Sequence, residues 1–167
     1  MMYDSSIAPM SHSLKALAAI LKKAEAYCEA RKIDPDALLT ARLFPDMLPL
    51  TRQVQIATDQ VKGCGARLTG IAVPSFADEE KTFPELQARI AKTLDFLGGL
   101  KKEHFAGAAT RIVSIKIGGK DTELAGAAYL SSAVLPNFYF HVTTAYNILR
   151  HNGLEIGKGD FLGRNLS

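Results

Sequence analysis

Apolar residues recur along this chain at helical spacing, and the pattern predicts most of its architecture. From residue 6 to 31, Ile7, Met10, Leu14, Leu17, Leu21, Ala24 and Cys28 step 3, 4, 3, 4, 3, 4. That is one apolar stripe of a first helix. Lys15, Lys22, Lys23, Glu25 and Glu29 fill its outer face, and Pro9 falls in its first turn, where a missing N–H costs little. Asp34-Pro35 reads as a cap followed by a short turn through Ala37-Leu38-Leu39. A second stripe, Met47, Leu50, Val54, Ala57, Val61, Cys64 and Leu68, predicts a second helix over 46–69. Gly63 and Gly65 weaken its last turns by about 1 kcal/mol each relative to Ala. Glycines so placed are expected to admit another backbone.

A connection over 70–84 leads to a third helix over 82–98. Thr82 and Glu85 make its capping box, Phe83, Leu86, Ile90, Leu94 and Leu97 its inner stripe, and Gly98-Gly99 its stop. The period then changes. Thr110–Leu124 is rich in β-branched residues and predicts a hairpin turning at Gly118-Gly119-Lys120-Asp121, with a brief second arm near 122–124. A lone hairpin is marginal in water, so it must lie on the bundle or pair with another chain. A fourth helix is expected from Gly126 or Ala127 to Asn152, with Gly153 beyond its end and a kink or break at Pro136. The tail carries Leu154, Ile156, Phe161 and Leu162 and reads as an ordered strap.

Composition narrows the class. At 167 residues, 47% hydrophobic and 22% charged, the chain reads as one soluble domain over 1–167. A net charge of +3 without like-charge blocks excludes a nucleic-acid or membrane footprint. No apolar run approaches a membrane span and no signal core is present, so a cytoplasmic protein is expected. Cys28 and Cys64 have no metal or redox spacing and read as small buried hydrophobes. P-loop, dinucleotide, G-x-S-x-G and H-E-x-x-H patterns are all missing.

The fourth helix concentrates the candidate chemistry. Projected at 100° per residue, Phe138, Val142, Ala145, Tyr146 and Leu149 share one face. Asn137, His141, Thr144 and His151 form a narrower polar stripe. A polar stripe on a buried helix must be satisfied by neighbours, water or a ligand. Two readings of His141 stand side by side. In one it is a pocket base, weak metal ligand or hydrogen-bond donor. In the other it is a core histidine bonded to Asn137, Thr144 or a glutamine of helix two. The ligand-pocket candidates are His141, Asn137, Thr144, Tyr146, Gln53 and Gln60. Tyr139 and Tyr146, seven apart, read foremost as core or interface aromatics, and His12 and His104 as solvated. Arg52 and Asp59 read as helix-surface charges.

Three segments carry a family resemblance: RLFPDMLPLTRQVQIATDQVKGCGARL, TFPELQARIAKTLDFL, and LPNFYFHVTTAYNILRHNG continuing to IGKGDFLG. Together they resemble a family without an assigned reaction inside the DinB-like superfamily of four-helix-bundle metalloproteins. The resemblance implies a mainly α, up-down-down-up bundle with a long crossover between helices two and three, and a homodimer. Related members include metal-dependent thiol transferases and isomerases. Better-known members hold a divalent metal with one histidine from helix two and a His-x-x-x-His pair from helix four. Here His141 matches the first of the pair, position 145 is Ala145, and helix two has no histidine. His151 stands about 15 Å along the helix from His141, too far to share an ion. The three-histidine site is therefore absent, no cofactor is expected, and a divalent metal has no support in the ligand pattern. The first reading is a DinB-like bundle with a small ligand near His141. The alternative is a metal- or histidine-dependent transferase or hydrolase acting on a small molecule.

Overall fold

A computed structural model describes residues 2–164 and 166. In chain order these form α1 (Met2–Ser5), α2 (Ile7–Arg31), α3 (Asp36–Leu39), α4 (Leu50–Thr69) and α5 (Phe83–Gly98). A short 3-10 turn, Lys102–Phe105, leads to β1 (Ile112–Ile117) and β2 (Lys120–Ala125). Then come α6 (Gly126–Ala128), a π-helical turn (Tyr129–Val134), α7 (Leu135–His151) and α8 (Lys158–Phe161). The long helices α2, α4, α5 and α7 are the bundle.

Pairwise contacts fix their directions. Arg89 meets Thr58, while Leu97 lies over Gly65, so α4 and α5 run parallel. Gln87 bonds Ala18 and Ile7 also reaches Gly65, so α2 is antiparallel to both. Gln53 meets His141 and Arg67 meets Tyr129, so α7 is antiparallel to α4. The order is up-down-down-up. Two parallel neighbours need a connection running back along the bundle. Twelve residues, 71–82, supply it, since α4 at 20 residues is about 30 Å long and extended chain covers about 3.3 Å per residue.

The predicted stripes form the core. Met10, Leu14, Leu21, Val54, Ala57, Val61, Leu86 and Phe138 are each fully buried. Both cysteines are buried and free, and burial pushes the Cys64 thiol up to about 12, which keeps it an unreactive thiol at neutral pH. Helix α5 has the full capping box: Thr82 Oγ1 accepts from Glu85 N at 3.3 Å, and Glu85 Oε2 accepts from Thr82 N at 2.9 Å.

Several local expectations need correction. Helix α4 starts at Leu50 rather than 46, because Pro49 is extended at ψ 165° and stops the helix from growing backwards. Met47 therefore lies in the preceding loop. An additional turn, Met2–Ser5, precedes the first long helix. The second hairpin arm is as long as the first, pairing Ile112 with Ala125 through Ile117 with Lys120. Its turn is Gly118-Gly119 alone, with φ of 56° and 81°. Two left-handed residues in a row give the turn whose twist matches the strands, and glycine takes them without strain.

Pro136 does not break the last helix. It enters at the second position of α7, directly after the π-helical turn, so its missing N–H falls where the hydrogen-bond spacing is already changing. Gly63 and Gly65 do not admit a backbone either. They face the Arg67 guanidinium and the Leu97 and Leu100 side chains. The close backbone approach is at Gly126, beside the Ala108 carbonyl. The tail is ordered as expected: Leu154 and Ile156 are buried, and the His12 ring Nε2 lies 2.9 Å from the Leu162 carbonyl. His12 thus anchors the strap rather than being simply solvated.

The Arg52 and Asp59 charges belong to an ion cluster that pins the crossover. Arg89, on α5, is its centre, with a side chain 1% exposed. Its guanidinium donates to Thr58 Oγ1 at 2.8 Å, the Ala77 carbonyl at 2.9 Å, Asp59 at 2.9 Å and Glu80 at 3.0 Å, and lies 3.0 Å from Asp78. Arg52 reinforces Asp78 at 2.7 Å, and Lys62 reinforces Asp59 at 2.7 Å.

Candidate functional site

The site is built along the seam between α4 and α7. On α4, Gln53, Gln60 and Arg67 are seven residues apart. Seven residues are nearly two helical turns, so the three side chains line one edge of the helix. Because the π-helical turn and α7 run the other way, Gln53 meets His141, Gln60 lines a cleft with Asn137, and Arg67 meets Tyr129.

At one end His141 is buried, 7% exposed, and its Nδ1 lies 2.6 Å from Gln53 Oε1. Gln53 in turn donates from Nε2 to the Leu48 carbonyl at 2.8 Å. The Gln53 amide is therefore oriented with its oxygen towards the ring, and Nδ1 carries the proton. Burial pushes the imidazole below its ordinary value, so it is held neutral. Its hydrogen-bonded neighbour is an amide and not a carboxylate. The acid that orients and strengthens a catalytic imidazole is not in that place.

In the middle and at the far end the seam opens. A cleft of about 1180 Å³ lies between the hairpin and the bundle, lined by Gln60, Arg67, Ile115, Tyr129, Ser132 and Asn137 among others. Gln60 is half-buried and Asn137 exposed, and among the described residues neither amide finds a hydrogen-bond partner. Arg67 donates to the Tyr129 hydroxyl at 3.2 Å. Burial raises the Tyr129 pKa, so the phenol keeps its proton.

The six sequence-predicted residues thus divide. Gln53 and His141 pair at the closed end, and Gln60 and Asn137 share the cleft. Thr144 turns back to the Phe140 carbonyl at 2.7 Å, and Tyr146 packs edge-on against Phe161 of the strap at 5.8 Å. Sequence reasoning missed Arg67 and Tyr129. The seven-residue repeat Gln53, Gln60, Arg67 was the available signal.

The up-down-down-up bundle, the crossover and the hairpin before the last helix define a DinB-like bundle protein. The family model described as Domain of unknown function (DUF1993) matches residues 2–162, and the chain belongs to that family. Its fold is close to the crystal structure of a DinB family member protein from Shewanella denitrificans, 47% identical, covering 98% of this chain and 92% of that one, with a TM-score of 0.89. No curated protein matches it. The superfamily's metal does not fit the residues present: His141 faces Gln53, and among the described residues no group of three or more His, Cys, Asp or Glu is placed to hold an ion.

Removing the His141 ring tests its structural part. His141→Ala leaves Gln53 Oε1 without its donor and is expected to cost about 1–3 kcal/mol by urea unfolding at pH 7.5. The pH sign follows from a folded pKa below the ordinary 6.5. The unfolded chain binds the proton more readily, so this contribution is complete above pH 6.5 and is lost as pH falls through the folded value. The gap between wild type and variant should therefore narrow at pH 5. Parallel stability–pH curves for the two proteins would rule this out.

Proposed function

We propose that this protein binds a small molecule in the cleft between the hairpin and the α4–α7 seam, one helical turn from His141. The observation that carries the reading is the presence there of the Gln60 and Asn137 amides, neither with a partner among the described residues, beside the Arg67–Tyr129 pair. A sizeable concave site with a few convergent polar groups is where small ligands bind. The neutral His141 closes one end of this polar line and keeps the seam in register through Gln53. The cleft, with its amides and an apolar wall from Ile115 and Ala133, suits a partly polar organic ligand.

Titration of the ¹⁵N-labelled protein with a fragment library tests the reading. Amide shifts should cluster at Gln60, 115–117 and 132–137. Gln60→Leu combined with Asn137→Leu should weaken the best fragments about tenfold, since a neutral hydrogen bond contributes about 0.5–1.5 kcal/mol. Shifts scattered over the surface, or an unchanged affinity in the double variant, would defeat it.

A further inference from the structure

Among the described residues, the cleft contains one cation that no carboxylate pairs with. Arg67 is half-buried on α4, yet among the described residues it makes no ion pair, and its partner is the neutral Tyr129 hydroxyl. Its guanidinium is also placed by a specific device. A Cβ at Gly63, one turn earlier, would sit 2.4 Å from Arg67 Nη1. Long helical side chains fold back towards the helix N-terminus, and Gly63 is the shelf on which this one rests. Of the other charges around the cleft, two form an ion pair and Glu123 has a hydroxyl neighbour. Lys116 and Asp121 pair at 2.8 Å on the hairpin, and Glu123 faces Ser114 across the strands at 3.4 Å.

We infer that the ligand of this cleft is a small organic monocarboxylate, bound through Arg67 and Tyr129. The inference rests on the cleft reading above and specifies its ligand class. A guanidinium offers two parallel N–H donors that match the two carboxylate oxygens. Arg67 already donates one N–H to the Tyr129 oxygen, so the phenolic O–H is left to donate outwards. The amides of Gln60 and Asn137 sit further along the cleft, where a polar substituent of the ligand would reach them. Charge selects the monoanion. Lys116 and Asp121 cancel, and Glu123 at the rim offsets Arg67 overall, so a single anionic charge can be met directly by the Arg67 guanidinium, whereas a phosphate dianion would bring a second negative charge that no unpaired cation of the lining meets.

The test compares 3-phenylpropionate with its neutral isostere, 3-phenylpropionamide, by chemical-shift titration at fixed ionic strength. Phenylpropionate should shift the Arg67 Nε–H signal and the amides of 129–137, and should bind about tenfold more tightly than the amide, as a charge-assisted hydrogen bond predicts. Arg67→Met should erase that preference. Gly63→Ala displaces only the mobile end of the guanidinium, so it should melt close to wild type while losing several-fold in carboxylate affinity. Equal binding of the two probes within the cleft, or full carboxylate affinity in Arg67→Met, would overturn the monocarboxylate and leave the cleft standing. If neither probe shifts any cleft amide, the monocarboxylate falls, and the fragment titration above decides the cleft reading on its own.

Discussion

Replacing Arg89 with Met is expected to destabilise the protein by about 3 kcal/mol, near the lower end of what breaking a buried charge cluster costs. The Arg89 side chain is 1% exposed, and Met fills much of its volume without any of its donors. Five partners are then abandoned together: Thr58, the Ala77 carbonyl, Asp59, Asp78 and Glu80. The cost stays at the lower end because Asp59 and Asp78 are more than a third exposed and regain water, whereas Glu80, 14% exposed, does not. For a chain of this size about 3 kcal/mol lowers the melting temperature by roughly 6–12 °C. Arg89→Lys should recover only part of it, since one ammonium cannot replace a five-donor fork. The damage should be local first. Arg89 fastens the crossover to α4, so protease should cut within 71–81 faster in the variant. Acid sensitivity should change too. Arg52 foremost, and Arg89 with it, hold the Asp78 carboxyl below the usual carboxylate range. That stabilisation is present above the unfolded carboxylate pKa and is lost as pH falls through the folded value. Arg89→Met should flatten this acid limb. A variant melting within a degree or two of wild type, with an unchanged cleavage pattern, would show that the cluster is dispensable.

The same residue shows where sequence reading stops. The four long helices were legible because burial repeats along each of them at 3.6 residues per turn, and a stripe such as Ile7 to Cys28 needs no knowledge of its partner. Arg89 stands between Ala88 and Ile90 on a helix that otherwise reads correctly. Its burial arises only when the crossover comes over it, bringing Ala77, Asp78 and Glu80 from up to twelve residues away and Thr58 and Asp59 from another helix. Nothing local encodes that. The candidate site was half legible for the same reason. A glutamine of helix two was among the partners expected for His141, and Gln53 is the one that faces it. That Gln60 and Asn137 sit in one cleft while Thr144 and Tyr146 do not depends on how α7 is rotated against α4. The π-helical turn over Tyr129–Val134 sets where Tyr129 stands on that seam, and it has no signature in the sequence.

Gly126→Ala should have the second-largest effect, about 3 kcal/mol of destabilisation, at the upper end of ordinary overpacking. Gly126 has no left-handed backbone, so the demand is for space and not for conformation. A Cβ there would lie 1.9 Å from the Ala108 carbonyl oxygen and 3.0 Å from Leu68. A side chain can rotate away from such an overlap, but a carbonyl cannot move without its chain. That chain is held: Gly126 N donates to the Arg111 carbonyl at 2.8 Å, and Ala127 N to Ala109 at 2.9 Å. Relief therefore means opening the junction where the hairpin leaves the bundle and α6 begins. Gly98→Ala is the matched control. Gly98 closes α5, has ordinary helical backbone, and among the described residues nothing beyond its own helical turn lies within 4 Å of its would-be Cβ. There the same substitution should be neutral or stabilise by up to about 1 kcal/mol through helix propensity and a stiffer unfolded chain. Opposite signs in two urea titrations would place the cost in the Ala108 contact. If both variants move together, the glycine at 126 is serving the unfolded chain and not the junction. The change should also carry into the cleft, because Tyr129 follows Gly126 by less than one turn. Gly126→Ala should weaken fragment binding there in protein that is still folded at 10 °C, with the loss read from the same amides of 129–137.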